Sequence, residues 1–126
     1  CRSVLRSAEA MFGADAVTTE SLLKTDLSGL TSDVELAVLR RLASFPRSVE
    51  AAASAREPHR IATYCIDLAS DFHSLWNRGR EDTTLRFLHE NDRDTSLSRL
   101  ALVSAIAGAL RSALSILGVV PVEEMR

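Results

Sequence analysis

Between Phe72 and Phe87 the chain reads FHSLWNRGREDTTLRF, setting Phe72, His73, Trp76 and Phe87 among Arg78, Arg80 and Arg86. Aromatic planes stack on unstacked nucleobases and guanidinium groups pair with phosphates, so this interleaving suits a single-stranded nucleic acid. A packing reading stands beside it. Phe72 falls on an apolar helical stripe, whereas Trp76 comes at the helix end, where a ring can be half covered and still present a face. On that reading the arginines belong to a charged loop over the end of a bundle.

Other chemistry finds less support. His59, His73 and His89 lie 14 and 16 residues apart, which matches no local metal-ligand motif, and Cys65 shares the apolar stripe. No metal site is expected, and the histidines read as surface or capping groups. Asp67 and Asp71 stand one helical turn apart, an arrangement that usually serves solubility on a solvated face. The sequence contains no serine or cysteine nucleophile signature and no glycine-rich phosphate loop. No catalytic residues are assigned.

With 126 residues, 46% of them hydrophobic, the chain is one domain able to bury a single core. Aromatic residues make up only 5%, with 5 Gly and 3 Pro, a composition that favours helices over a sandwich or barrel. The net charge is −2, from 15 basic and 17 acidic side chains, which excludes the strongly basic footprint of a stand-alone nucleic-acid binder. Any polyanion must be held by a few placed groups. Cys1 and Cys65 do not make a disulfide framework, and Cys65 is expected as a buried, unpaired thiol. A reducing, cytoplasmic setting fits. No apolar run approaches the ~20 residues of a bilayer span, so no membrane partner is expected. The opening CRSVLRSAEAM already has helical spacing and reads as a chain cut inside a helix.

The elements that must position the rings follow from periodicity and caps. Residues 1 to about 12 read as a helix stopped by Gly13, and Ala14 to Leu30 as a long connection. Ser32 and Glu35 form a capping box opening a helix that carries Leu36, Val38, Leu39 and Leu42 and stops before Pro46. Pro46 and Pro58 each sit in a first helical turn. From Pro58 to Asn77, Ile61, Tyr64, Cys65, Leu68, Phe72, Leu75 and Trp76 recur at spacings of three and four. Asn77 to Asp94, with five acidic residues and four arginines, reads as an exposed loop holding a short extended piece. Ser96 to Leu117 is the last long helix, with Gly118 as its stop. The expected fold is all-α, an antiparallel bundle of four to five helices in one domain spanning residues 1–126.

The blocks ELAVLRRLASFP, PHRIATYCIDLASDFHSLWN, SRLALV and ALSILGVVPVEEM occur in an order that resembles the C-terminal, DALR-type anticodon-binding domain of arginyl-tRNA synthetases. CRSVLR resembles the continuation of a family helix that begins Tyr-x-x-His-Ala-Arg. The family often has Tyr where Trp76 stands and Arg where Glu124 stands.

The resemblance implies a helical module that grips the anticodon loop of tRNA(Arg), part of an arginine–tRNA ligase that is monomeric and cytoplasmic. Arginine, ATP and Mg would act in a separate catalytic domain, whose HIGH and KMSKS signatures do not occur here, so no cofactor is expected in this chain and no aminoacylation by it alone. By matching position, the resemblance points to Trp76, Phe87 and Met125 as base contacts. Arg2, and Arg80 or Arg86, are the expected phosphate contacts, and His73, where the helix end begins, joins them in the same tRNA-binding set. Two alternatives remain: the anticodon-binding domain of another synthetase, such as the glycyl enzyme's large subunit, and a helical module whose Trp76 end docks a protein.

Leu68 lies at the centre of the longest apolar stripe. Leu68→Ala is expected to lower stability by roughly 2–5 kcal/mol through the cavity it leaves. An unchanged urea midpoint would show that the stripe does not face the core.

Overall fold

Gly13 closes the first helix: at φ +89° it takes a backbone conformation that side chains rarely adopt, and its N–H donates to the Glu9 carbonyl at 3.0 Å. The computed structural model describes residues 1–121, and among them every regular element is helical. Helix α1 is Arg2–Phe12, α2 Thr19–Leu23, α3 Asp33–Ala43, α4 Phe45–Ala55, α5 His59–Glu81 and α6 Arg93–Ile116, with 3₁₀ turns at Ala14–Val17 and Thr83–Leu85.

Local signals set most of these boundaries. Ser32 Oγ accepts the Glu35 N–H at 3.3 Å while Glu35 Oε2 accepts the Ser32 N–H at 3.1 Å, the reciprocal box that opens α3. Pro46 sits in the first turn of α4 and Pro58 directly precedes α5. Asp92 caps α6 by accepting the Thr95 N–H at 3.1 Å.

Two expectations about the elements require correction. The stretch 14–30 is not simply a connection: Thr18 caps α2, whose Leu22 is buried, and α2 packs on α6. At 5 residues α2 is too short to show a period, so docking decides it. The stretch 77–94 contains no strand; α5 runs on to Glu81, and the 3₁₀ turn follows. Continuous helical hydrogen bonding through Asn77 overrides the polar composition.

Helices α5 and α6 form the spine, α5 packing on α3, α4 and α6, and α6 also receiving α1 and α2. Leu68 and Leu75 of α5 meet Leu100, Val103 and Ile106 of α6, Val38 of α3, and Val4 and Ala8 of α1 in the main core. A smaller cluster joins Ala52, Ile61 and Ala113. Cys65 lies beside that cluster, half-buried instead of buried, and burial pushes its thiol pKa up. By length and composition α6 could cross a membrane, yet it is the helix on which α1, α2 and α5 pack.

Polar pairs clamp the bundle. Asp67 and Asp71 are not merely a solvated pair: Arg41 donates from Nε to Asp71 Oδ2 at 2.8 Å and from NH1 to Asp67 Oδ2 at 3.2 Å, bridging α3 and α5. Tyr64 adds to this seam by donating its hydroxyl to the Arg41 carbonyl at 2.9 Å. Deeper still, Arg99 of α6 donates from Nε to Glu35 Oε1 at 2.7 Å, with the two residues 4% and 1% exposed. Burial pushes the Glu35 carboxyl up, but hydrogen bonds from Arg99 and Ser32 and the attraction of the guanidinium outweigh it and hold it below the ordinary glutamate range.

Glu35→Gln is expected to cost roughly 3–5 kcal/mol near neutral pH, because it leaves the buried Arg99 charge uncompensated. A carboxyl with a depressed folded-state pKa stabilises fully above its ordinary value of 4.5, and that contribution is lost as pH falls through the depressed value. Urea midpoints of both proteins, taken from about pH 7 down to about pH 3, should therefore converge on acidification. A constant gap would mean that the ion pair is not its source.

Candidate nucleic-acid interface

Beyond Glu81 the chain turns sharply. Asp82 Oδ1 accepts the N–H and the hydroxyl of Thr84 at 2.9 and 2.6 Å, which starts the 3₁₀ turn and sends the backbone across the end of α5. Only a glycine permits that crossing at residue 79. A Cβ there would stand 2.9 Å from the Leu85 carbonyl oxygen and 3.3 Å from its carbon. From the far side Arg99 holds the same strip of chain: its NH1 lies 2.6 Å from the Thr84 carbonyl oxygen, 2.7 Å from that of Arg86 and 2.8 Å from His89 Nε2. Arginine only donates, so the His89 nitrogen accepts. His89 is further tied by its N–H, donated to Ser96 Oγ at 2.8 Å.

This return places Phe87 under the end of α5. Its ring stacks on Phe72 at 5.9 Å and 24°, and lies 5.7 Å from Trp76, which is itself 6.2 Å from Phe72. Phe87 is 7% exposed, so its expected free ring face does not exist: the ring is a core member and a support for Trp76. Trp76 keeps 38% of its surface.

A groove of about 460 Å³ opens beside that indole, with Ser3, Val4 and Ser7 of α1 on one wall, Trp76, Gly79 and Arg80 of α5 on another, and residues 86–88 completing it. Four of the residues singled out in the sequence, Trp76, Arg80, Arg86 and Phe87, thus share one site. Such a volume lies within the range of ligand sites. Two arginines and a part-exposed indole lining one groove bring positive charge and an aromatic ring together. Arg86 also borders a larger polar groove of about 810 Å³, beside Glu35, His89 and Arg99.

The remaining candidates lie elsewhere. Arg2 borders a separate groove with Leu5, Glu9 and Arg111, between α1 and α6. His73 is exposed on α5, its ring 6.0 Å from Phe72, and does not line the groove at Trp76. Met125 lies outside the described residues. Among the described residues no three His, Cys, Asp or Glu side chains converge as metal ligands.

Sequence reading missed Ser3, Ser7 and Gly79 as site residues. An isolated glycine inside the helical NRGRE was a usable signal of close backbone approach, whereas two serines one turn apart carry none.

Residues 1–125 match the model of the DALR anticodon binding domain, and the chain belongs to that family. It is 86% identical over all 126 residues to the arginine–tRNA ligase of Gluconobacter oxydans (strain 621H). It is 49% identical over 98% of its length to that of Methylobacterium nodulans, and 47% identical over its whole length to that of Rhizobium etli (strain CIAT 652). The chain spans 21% of the length of each of these relatives. No solved structure matches it.

Gly79→Ala offers a direct check of the turn. Alanine gains up to about 1 kcal/mol of helix propensity, but the obstacle is a backbone carbonyl that cannot swing aside, and overpacking of this kind costs roughly 1–3 kcal/mol. The expected outcome is a net loss of roughly 1–2 kcal/mol in a urea melt, with altered fluorescence from Trp76. A stabilised variant would place the turn away from the helix.

Proposed function

We propose that this chain is the anticodon-loop recognition module of an arginine–tRNA ligase, and that the groove beside Trp76 takes an unstacked loop base. The observation that carries the reading is the whole-length match to an anticodon-binding family whose relatives are arginine–tRNA ligases. The site adds a physical reason. A base flipped from its stack regains about 1–3 kcal/mol on an aromatic plane, and Trp76 offers one, held from behind by Phe72 and Phe87. Arg80 and Arg86 at the rim suit the phosphates on either side of that base. Arg2, His73 and Met125 complete the set we assign to tRNA.

Arginine activation with ATP and Mg belongs, on this reading, to the part of the ligase that the chain does not span. The residues here do not fit that chemistry: the sequence has no glycine-rich phosphate loop, and among the described residues no metal-ligand cluster forms. The ligase would work as a monomer in the cytoplasm, where tRNA is charged.

Trp76→Ala in the complete ligase is expected to raise the tRNA KM roughly ten- to hundredfold, each factor of ten being about 1.4 kcal/mol. The arginine and ATP KM values should barely move. A lowered Tm with equal losses for all three substrates would instead make Trp76 a packing residue and reject the recognition role.

A further inference from the structure

The hydrogen-bonding character of the groove is lopsided. Arg80 and Arg86 can only donate, Trp76 can only donate from its ring nitrogen, and Val4, Gly79, Phe87 and Leu88 bring no polar side chain. Among the described residues, no carboxylate and no amide side chain lines the groove. The side-chain acceptors these residues offer it are the hydroxyls of Ser3 and Ser7. These stand one turn apart on α1, on the flank of the helix next to buried Val4.

The two hydroxyls are not equivalent. Ser7 Oγ donates its single proton to the Ser3 carbonyl at 3.1 Å, a bond within its own helix. With that proton engaged, what Ser7 presents to the groove is lone pairs. To donate to a ligand carbonyl it would have to give up the internal bond; to accept from a ligand amino group it gives up nothing.

We infer that Ser7 is a specificity-determining hydrogen-bond acceptor, which selects for a loop base bearing an exocyclic amino group while Trp76 supplies the stacking plane. Adenine, cytosine and guanine carry such a group and uracil does not. Stacking is indifferent to base identity because every base has a π-face, so selection for an amino group calls for an acceptor, and Ser7 is a side-chain acceptor at the groove whose own proton is already engaged. The inference rests on the base-binding reading given above, and its test separates the two.

The 126-residue chain is titrated with arginine-type anticodon stem-loops in which one loop base at a time is replaced by its des-amino analogue: purine for adenine, pyrimidin-2-one for cytosine, inosine for guanine. At one position the parent should prefer the amino-bearing base by roughly five- to tenfold, the worth of one net hydrogen bond. Ser7→Ala should lower affinity for the amino-bearing loop to that of its analogue and leave the analogue's affinity unchanged. Ser7→Thr, which retains the hydroxyl and its internal bond, should keep the preference. Survival of the preference in Ser7→Ala, or an equal loss on both loops, overturns the role of Ser7. If Trp76→Ala binds both loops as the parent does, or if the parent binds neither, the base-binding reading itself fails.

Discussion

The pairing of Glu35 with Arg99 is the interaction on which the groove depends. Arg99 reaches from α6 to the start of α3 with Nε and to the Thr84 and Arg86 carbonyls with NH1. One guanidinium thus joins a helix cap, a core helix and the returning chain. Glu35 serves two masters, completing the Ser32 capping box with Oε2 and holding Arg99 with Oε1. A buried ion pair contributes little net stability compared with well-packed apolar side chains, but losing either member is costly. What it confers here is position: Arg99 holds the carbonyls of residues 84 and 86, and so fixes the strip of chain that carries residues 86–88 to the groove.

From that constraint the aromatic cluster follows. With the return held at Arg99 and brought close at Gly79, Phe87 is driven under α5 and meets Phe72 face on. Of the opening alternatives for these rings, packing accounts for Phe72 and Phe87, whereas Trp76 keeps the exposure that the proposed stacking role needs. Phe72 and Phe87 pack, and Trp76, resting on both, keeps an open edge of the cluster. Backed by the half-buried Phe72 and the buried Phe87, the Trp76 ring is held in place, and a group held in place before binding loses less entropy on binding.

The charge balance becomes intelligible on the same basis. A chain of net charge −2 has no general attraction for polyanions. Its internal pairs, Arg41 with Asp67 and Asp71, and Arg99 with Glu35, engage basic groups in holding helices together. Arg80 and Arg86 stand instead at the groove beside Trp76. Any attraction for a polyanion therefore rests on a few placed groups and not on a general field.

Sequence alone determined the features that depend on neighbours in the chain. The Ser32 and Glu35 box, the prolines at 46 and 58, the stop at Gly13 and the stripe through Leu68 are local, because caps and turns act over three or four residues and helical periodicity needs only a dozen. The family was legible too, since ordered blocks along the chain survive where single contacts cannot be read. Tertiary structure decided the rest. Glu35 and Arg99 are 64 residues apart, and Arg41 is 26 and 30 residues from Asp67 and Asp71, so no local pattern could pair them. The burial of Phe87, the docking of the short α2 and the presence of two α1 serines beside Trp76 arise when distant segments close on one another. Their energies come from packing and desolvation, which exist only once the chain has folded.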